Sequence, residues 1–334
     1  MKRILLFIIF ICNIINAQRS DFNTIDFTRA DNIAELNANS SLNNLPALAY
    51  KLTSKLPTEV EKFRAIYTWV CNNIVGDPSQ HNTVSSMRRK LKNDSIAFMN
   101  WNNDFRKQAF KKLLKQKKTM CTGYAYLIKE LCYLSGIESE IIDGYARSVD
   151  SNVEKLEDPN HSWTAVNLNN KWYLCDATWS SGYMISESLF VKEYNGGYFL
   201  AEPVLFAKSH YPLQKKWLLD DTLIQEDFVA GPLVYGETFI QNIIPFSPKK
   251  MNIQIKKNTE INFSLKSLKQ ISNKNISLIK LSNQNEKVLE IYDIKSENGW
   301  IQFKHQFKHR GQHDVHLKIN NDIVATYTIN VTKS

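Results

Sequence analysis

Glycine and proline are scarce, 11 and 9 in 334 residues, and cysteine scarcer still at five. So little glycine and proline excludes a collagen-like or low-complexity chain, and 43% hydrophobic with 22% charged residues is ordinary globular composition. Four cysteines beyond residue 17 (Cys71, Cys121, Cys132, Cys175) are too few for a disulfide framework. Cys121, Cys132, Cys175 and His161 lack the close pairing that zinc ligands use, so no metal is expected. There is no basic-aromatic motif for nucleic acid, no acidic loop that demands calcium, no internal repeat and no call for a cofactor.

The length predicts about two domains. Residues 1–17 stand apart: Lys2 and Arg3 precede the apolar run Ile4 to Ile15, and Asn16-Ala17 offers a cleavage point. The run is short for a membrane span. It reads as a secretory signal peptide, with an uncleaved anchor as the alternative and the sole route to membrane association. Cys12 follows Ile11, where lipid attachment would want a small residue. The expected location is exported: periplasmic, cell-envelope or secreted. Losing Lys2 and Arg3 takes the net charge from +9 to +7, which serves solubility and favours anionic envelope surfaces.

A polar, Asn-rich lead spans 18–44. Residues 45–56 read as a short helix, and Thr58 with Glu61 forms a capping box for a second, whose face carries Val60, Phe63, Ile66, Tyr67, Val70 and Ile74. Residues 77–104 are expected to be polar and irregular. A basic helix follows from Asp104, its lysines read as a solvated face. Residues 138–145, 161–168 and 171–176 read as strands, the last two joined by a tight turn at Asn169-Asn170. An aromatic-rich segment from 186 to 221 is expected to wrap or cover the centre of the first domain. From 239 to 334, short alternating runs between Asn, Ser and Gly turns predict a small Ig-like β-sandwich.

Met120-Cys121-Thr122-Gly123-Tyr124 is the centre of the first domain. Ala125, Leu127, Ile128, Leu131 and Leu134 recur at helical spacing after it, so Cys121 sits in a first turn. There the free N–H groups and helix dipole favour an anion and lower a thiol's pKa. A lone cysteine more often simply packs, so other residues must decide. If Asn169-Asn170 is the turn, Leu168 pairs with Lys171 and Trp163 falls opposite Asp176. His161 and Asp176 are then diagonal neighbours on one face, while Cys175 points the other way. Cys121, His161 and Asp176 supply the types that acyl transfer needs: nucleophile, base and orienter. If Cys121 stays free, at most one disulfide can form among Cys71, Cys132 and Cys175.

The segments Cys121-Thr122-Gly123-Tyr124-Ala125, His161-Ser162-Trp163-Thr164-Ala165-Val166 and Trp172-Tyr173-Leu174-Cys175-Asp176-Ala177-Thr178-Trp179 resemble the transglutaminase-like superfamily. Phe63 to Val70, Tyr198 to Pro203, Ser209-His210-Tyr211-Pro212 and Trp217-Leu218-Leu219 are similar to its kyphoscoliosis-peptidase type. The likeness covers about residues 45–225. It implies an α+β, papain-like core of helices against an antiparallel sheet, with Cys121 as nucleophile, His161 as base and Asp176 as orienter. Trp163, Trp179 and Tyr124 are the candidate pocket walls. The tryptophan that assists the oxyanion in animal transglutaminases has no counterpart here, and Gln116 is the substitute candidate. Ser162 and Thr164 depart from the family's common His-Ala-Trp-Asn, which bears on substrate fit more than on chemistry. The expected activity is attack on an amide of a peptide or protein substrate, resolved by water or by an amine. The alternative is a non-catalytic scaffold of the cell envelope, since the superfamily includes proteins that keep the fold for interaction alone.

Overall fold

A computed structural model describes residues 19–186, 188–268, 275–282 and 285–333. The expected signal peptide, with Cys12, lies outside them. Among the described residues no helix is long and apolar enough to cross a membrane.

Three helices open the chain: α1 (Thr28–Leu36), α2 (Leu45–Thr53) and α3 (Glu59–Asn73). The capping box that starts α3 is present, with Thr58 accepting from Glu61 N–H and Glu61 reaching back. Nine α3 residues are buried, among them Phe63, Tyr67 and Trp69, so this helix runs through the core and not along its surface. At about 1.5–3 kcal/mol per fully buried large side chain, it is a principal source of cohesion. The polar reading of residues 18–44 needs correction. Phe22, Ala30, Ala34 and Leu42 join the same core, and Asp31 holds Arg64 at 2.7 Å. Few apolar residues suffice there because short helices bury only one narrow stripe.

Residues 77–104 are also corrected, from irregular to helical. After β1 (Val75–Gly76) come α4 (Pro78–Lys90) and α5 (Ser95–Gln116), then β2 (Lys118–Thr119), which pairs parallel with β1. Asp77 and Asp94 cap the two helices through N–H groups of Gln80 and Ala97. The polar composition hides an aromatic row, Phe98, Trp101 and Phe105, with neighbouring centroids 6.0 and 5.0 Å apart.

Next come α6 (Cys121–Leu134), β3 (Ser139–Ala146), β4 (His161–Leu168), β5 (Lys171–Cys175), α7 (Ala177–Ser181), β6 (Gly182–Ser186), β7 (Leu189–Lys192), α8 (Pro203–Phe206) and β8 (His210–Pro212). Strands β5-β4-β3-β8 form an antiparallel sheet against which α6 lies, the helix-on-sheet α+β core that the motifs imply. The β4–β5 register is the one deduced from the turn: Leu168 pairs with Lys171 and Thr164 with Cys175. Asn169 and Asn170 both take positive φ, 54° and 63°, as a two-residue hairpin turn requires.

Helices α9 (Gln225–Ala230) and α10 (Gly236–Gln241) lead into a β-sandwich. Its strands are β9 (Ile243–Ser247), β10 (Asn252–Lys256), β11 (Glu260–Ser267), β12 (Ile276–Ser282), β13 (Asn285–Leu289), β14 (Tyr292–Glu297), β15 (Trp300–Gln306), β16 (Gly311–Ile319) and β17 (Asp322–Thr332). One sheet runs β10-β17-β16-β12-β13 and the other β14-β15-β11-β9. Phe263, Phe303, Leu317 and Tyr327 fill the space between them. The sandwich is tied to the first domain through α10, where Thr238 Oγ1 donates to Val324 O at 2.6 Å.

Candidate active site

Cys121 is the first residue of α6. Its neighbour Met120 is extended, and no side chain caps the helix, which leaves the positive end of the helix open to an anion. Gly123 lets this turn lie against β2, because a Cβ there would run into Thr119. The Cys121 side chain is half-buried, unlike Cys71, Cys132 and Cys175, which are fully buried. All four thiols are free, so none of the disulfides left open by the sequence forms. Burial raises the Cys121 pKa, but a hydrogen bond and charge from His161, with a Ser162 backbone N–H, outweigh it and hold the thiol below its usual value. Burial dominates at Cys71, pushed well above the usual thiol value, and at Cys132, pushed up to about 12.

His161 opens β4, and Asp176 follows the last residue of β5. His161 Nε2 meets Asp176 Oδ2 at 2.7 Å, which leaves Nδ1 for the thiol. Burial opposes a charged ring, yet the Asp176 charge, its hydrogen bond and that of Cys121 lift the imidazole's pKa to about 10. Asp176 is buried and is also the N-cap of α7. Its Oδ1 accepts from the N–H groups of Thr178 at 2.8 Å and Trp179 at 3.2 Å. Burial disfavours this carboxylate, but two imidazoles keep it ionised, well below the ordinary range.

The second imidazole is His210 on β8, a residue missing from the site read in the sequence. Its Nε2 lies 3.1 Å from the same Asp176 Oδ2, and its Nδ1 lies 2.9 Å from Ser209 Oγ. Asp176 has no proton to give, so His210 donates from Nε2 and accepts the Ser209 hydroxyl at Nδ1. The ring stacks on Phe206 at 4.0 Å and packs near Trp179 and Trp163 at 4.5 and 5.2 Å. Burial pushes its pKa down to about 4, overriding Asp176, so this ring stays neutral while its neighbour charges. The sequence signal was Ser209-His210 inside the motif at 209–212, but only the β3–β8 pairing, Ala146 with His210, carries it to the site.

The sign of the resulting pH effect follows from this depressed value. Between about pH 6.5 and 4 the unfolded chain binds a proton at residue 210 that the folded chain refuses. The stability from the neutral ring is thus complete above 6.5 and is lost as pH falls through 4. Wild type is expected to lose about 3 kcal/mol more than His210→Gln between pH 7 and 4, read from urea unfolding midpoints. Equal losses would show that the ring is not held neutral.

Other candidate residues are placed differently from expectation. Tyr124 is fully buried, its hydroxyl accepting from Ser181 Oγ at 2.9 Å, and so is a core residue and not a pocket wall. Trp163 is 1% exposed because β4 is covered on both faces, and it supports the histidines from within. Trp179 is half-buried, 5.4 Å from the His161 ring, and remains a wall candidate. Gln116, at the C-terminal end of α5, is exposed, so nothing holds its amide toward an oxyanion. Gln80 is instead buried at 4% exposure with both amide heteroatoms unpaired. It lies in the first turn of α4, and Asp77 N–H, at the start of that helix, donates at 2.8 Å to the carbonyl of Thr119, two residues before Cys121.

Gly144, between His161 on β4 and Pro212 on β8, has no room for a side chain. A Cβ would collide with the Tyr211 carbonyl and the Trp163 ring. Gly144→Ala is expected to cost about 1–3 kcal/mol in chemical unfolding, because the obstacle is backbone and cannot rotate away. An unchanged midpoint would refute the close approach.

His161, Asp176 and His210 also present ligand atoms within 4.8 Å of one another, a set that could hold a metal ion. Asp176 Oδ2 is already the shared acceptor of both imidazoles, so binding an ion would break these two hydrogen bonds.

A half-buried thiol at a helix N-terminus stands with a His161–Asp176 pair, 2.7 Å apart, on a papain-like α+β core. The family model for the Transglutaminase-like superfamily matches residues 46–177. Human kyphoscoliosis peptidase is 32% identical over 180 residues, covering 52% of this chain and 24% of that protein. Hillarin of Drosophila melanogaster is 26% identical over 225 residues, covering 63% of this chain and 25% of that one. A solved structure titled "Crystal structure of a TGase" overlaps at 17% identity and a TM-score of 0.27, covering 55% of this chain and 37% of that one. Residues 46–177 match the transglutaminase-like superfamily, and kyphoscoliosis peptidases are among the relatives this chain is similar to. The chain spans about a quarter of the length of the curated relatives it matches.

Proposed function

We propose that this protein is a cysteine-dependent acyl-transfer enzyme that attacks an amide bond of a peptide or protein, with Cys121 as nucleophile, His161 as general acid and base, and Asp176 as orienter. The observation that carries this reading is geometric: the half-buried thiol opens α6, whose next residue Thr122 meets Ser162 at 3.3 Å, and Ser162 follows the histidine held 2.7 Å from buried Asp176, whereas Cys71, Cys132 and Cys175 are fully buried. The Cys121 thiolate adds to the amide carbonyl carbon. As the C–N bond breaks, His161 gives its proton to the leaving amine and a thioester remains. Water then attacks the thioester, His161 takes a proton from it, the C–S bond breaks, and a carboxylic acid and the thiolate are released. Hydrolysis is the favoured outcome because nothing marks a site for an acceptor amine.

His210 acts through Asp176 as a positioning residue. Its neutral N–H fixes the carboxylate without adding a second positive charge beside His161. In this proposal the Cys121 N–H supplies one oxyanion donor, and the Gln80 amide, buried and unpaired in the helix that follows β1, is the candidate for the second. Gln80→Ala is expected to lower kcat on the order of 10²-fold with the Cys121 alkylation rate unchanged, whereas Gln116→Ala changes neither. The reverse pattern would return the role to Gln116. Export through residues 1–17 belongs to the same proposal. Mass spectrometry of the protein recovered from its native envelope, showing whether it begins near Gln18, tests it.

The activity itself is tested with a fluorogenic peptide-amide library incubated with wild type and Cys121→Ala. Turnover in wild type alone supports acyl transfer, and equal rates in both proteins refute it.

A further inference from the structure

Residues 78–118 hold eleven lysines and arginines against two acidic residues, a net charge of +9. That equals the charge of the whole chain, so the remaining residues balance at 31 of each sign. This stretch is the α4–α5 hairpin, and it is held only at its base. In α5 only Leu113 of 22 residues is buried, and in α4 only Gln80 and Val84. The hairpin is thus an arm, about 33 Å along α5, that concentrates the protein's positive field.

The charge is also ordered. Lys107, Lys111 and Lys115 recur every four residues along one exposed face of α5, about 12 Å end to end. Exposed Lys118 carries the line into β2, three residues before Cys121. Among the described residues, the arm's ion pairs are Lys112 with Asp77 and Lys107 with Asp104. The second is fully solvated and holds little. Such a row leads along the arm toward the thiol, a path suited to an extended anionic chain and not to a flat surface touched only by the arm's tip.

We infer that the arm is a docking surface for acidic polypeptide, and that it selects substrates carrying an acidic stretch beside the amide that is attacked. The word substrate rests on the acyl-transfer reading; the binding does not. The probe is fluorescein-labelled poly-L-glutamate, followed by anisotropy at 50 and 300 mM NaCl with the full chain and with Lys107→Glu/Lys111→Glu/Lys115→Glu. Wild type is expected to bind at 50 mM, to weaken about tenfold or more at 300 mM, and to lose about tenfold or more in the triple variant. Thermal midpoint and Cys121 alkylation rate, measured on the same samples, should stay unchanged in that variant.

No binding by wild type, or equal binding by the variant, would overturn the inference. Binding to phosphatidylglycerol vesicles that poly-L-glutamate fails to displace would overturn it too, by assigning the arm to a membrane surface. An ordinary, unreactive Cys121 alongside salt-sensitive, lysine-dependent poly-L-glutamate binding would sink acyl transfer while supporting the docking surface.

Discussion

Cys121→Ser is expected to lower amide turnover on the order of 10⁴-fold or more while leaving the fold intact. The side chain is half-buried at the head of α6, so a hydroxyl of similar size fits there. What is lost is ionisation. On the acyl-transfer reading, helix N-terminus and imidazolium together stabilise a thiolate, whereas a hydroxyl would stay protonated there and must be deprotonated during attack. Steady-state kinetics on any responsive peptide, paired with a thermal melt, checks this. Turnover within tenfold of wild type would place the chemistry elsewhere.

Asp176→Ala is expected to give a larger stability loss than other single changes at the site, together with loss of turnover. The carboxylate serves three partners: His161 and His210 at Oδ2, and the first turn of α7 at Oδ1. Removing it leaves two buried imidazoles without an acceptor, worth about 3–5 kcal/mol for a broken buried charge pair, and removes a helix cap worth about 1 kcal/mol. Asp176→Asn separates the roles. Its amide oxygen can still cap α7, and the variant should recover about the capping contribution, but it cannot hold His161 as an imidazolium and turnover should stay low. Urea unfolding of the three proteins, with turnover measured beside it, decides. If alanine and asparagine are equally stable, the cap contributes nothing.

Much of this site was legible before any coordinates. Asn169-Asn170 fixed the turn, the turn fixed the register, and the register put His161 and Asp176 together, because a strand's two-residue period leaves little freedom once one face is buried. The helix start at Cys121 was read from apolar spacing in the same way. His210 was not legible, since a three-residue strand joined to β3 from 64 residues away has no local periodicity to announce it. The helical turns between 78 and 104 were missed because their apolar rows are diluted by asparagine and lysine and bury little, whereas the basic helix from Asp104 was read as one. Tyr124 and Trp163 were misplaced because motif membership does not say which face of an element is covered. Gln116 was favoured by its nearness in sequence to Cys121, which says nothing of exposure, and it sits exposed at the end of α5.

The central claim, that Cys121 and His161 form a thiolate–imidazolium pair, is tested most directly by the pH dependence of iodoacetamide alkylation at Cys121. The label is read by mass spectrometry in wild type and in His161→Ala. With the thiol's pKa lowered and the imidazole's raised to about 10, the pair exists between those two values. Wild type should label fast below pH 7, and His161→Ala should need alkaline pH. Slow labelling that follows an ordinary thiol in both proteins would contradict the pair and leave the fold as a scaffold.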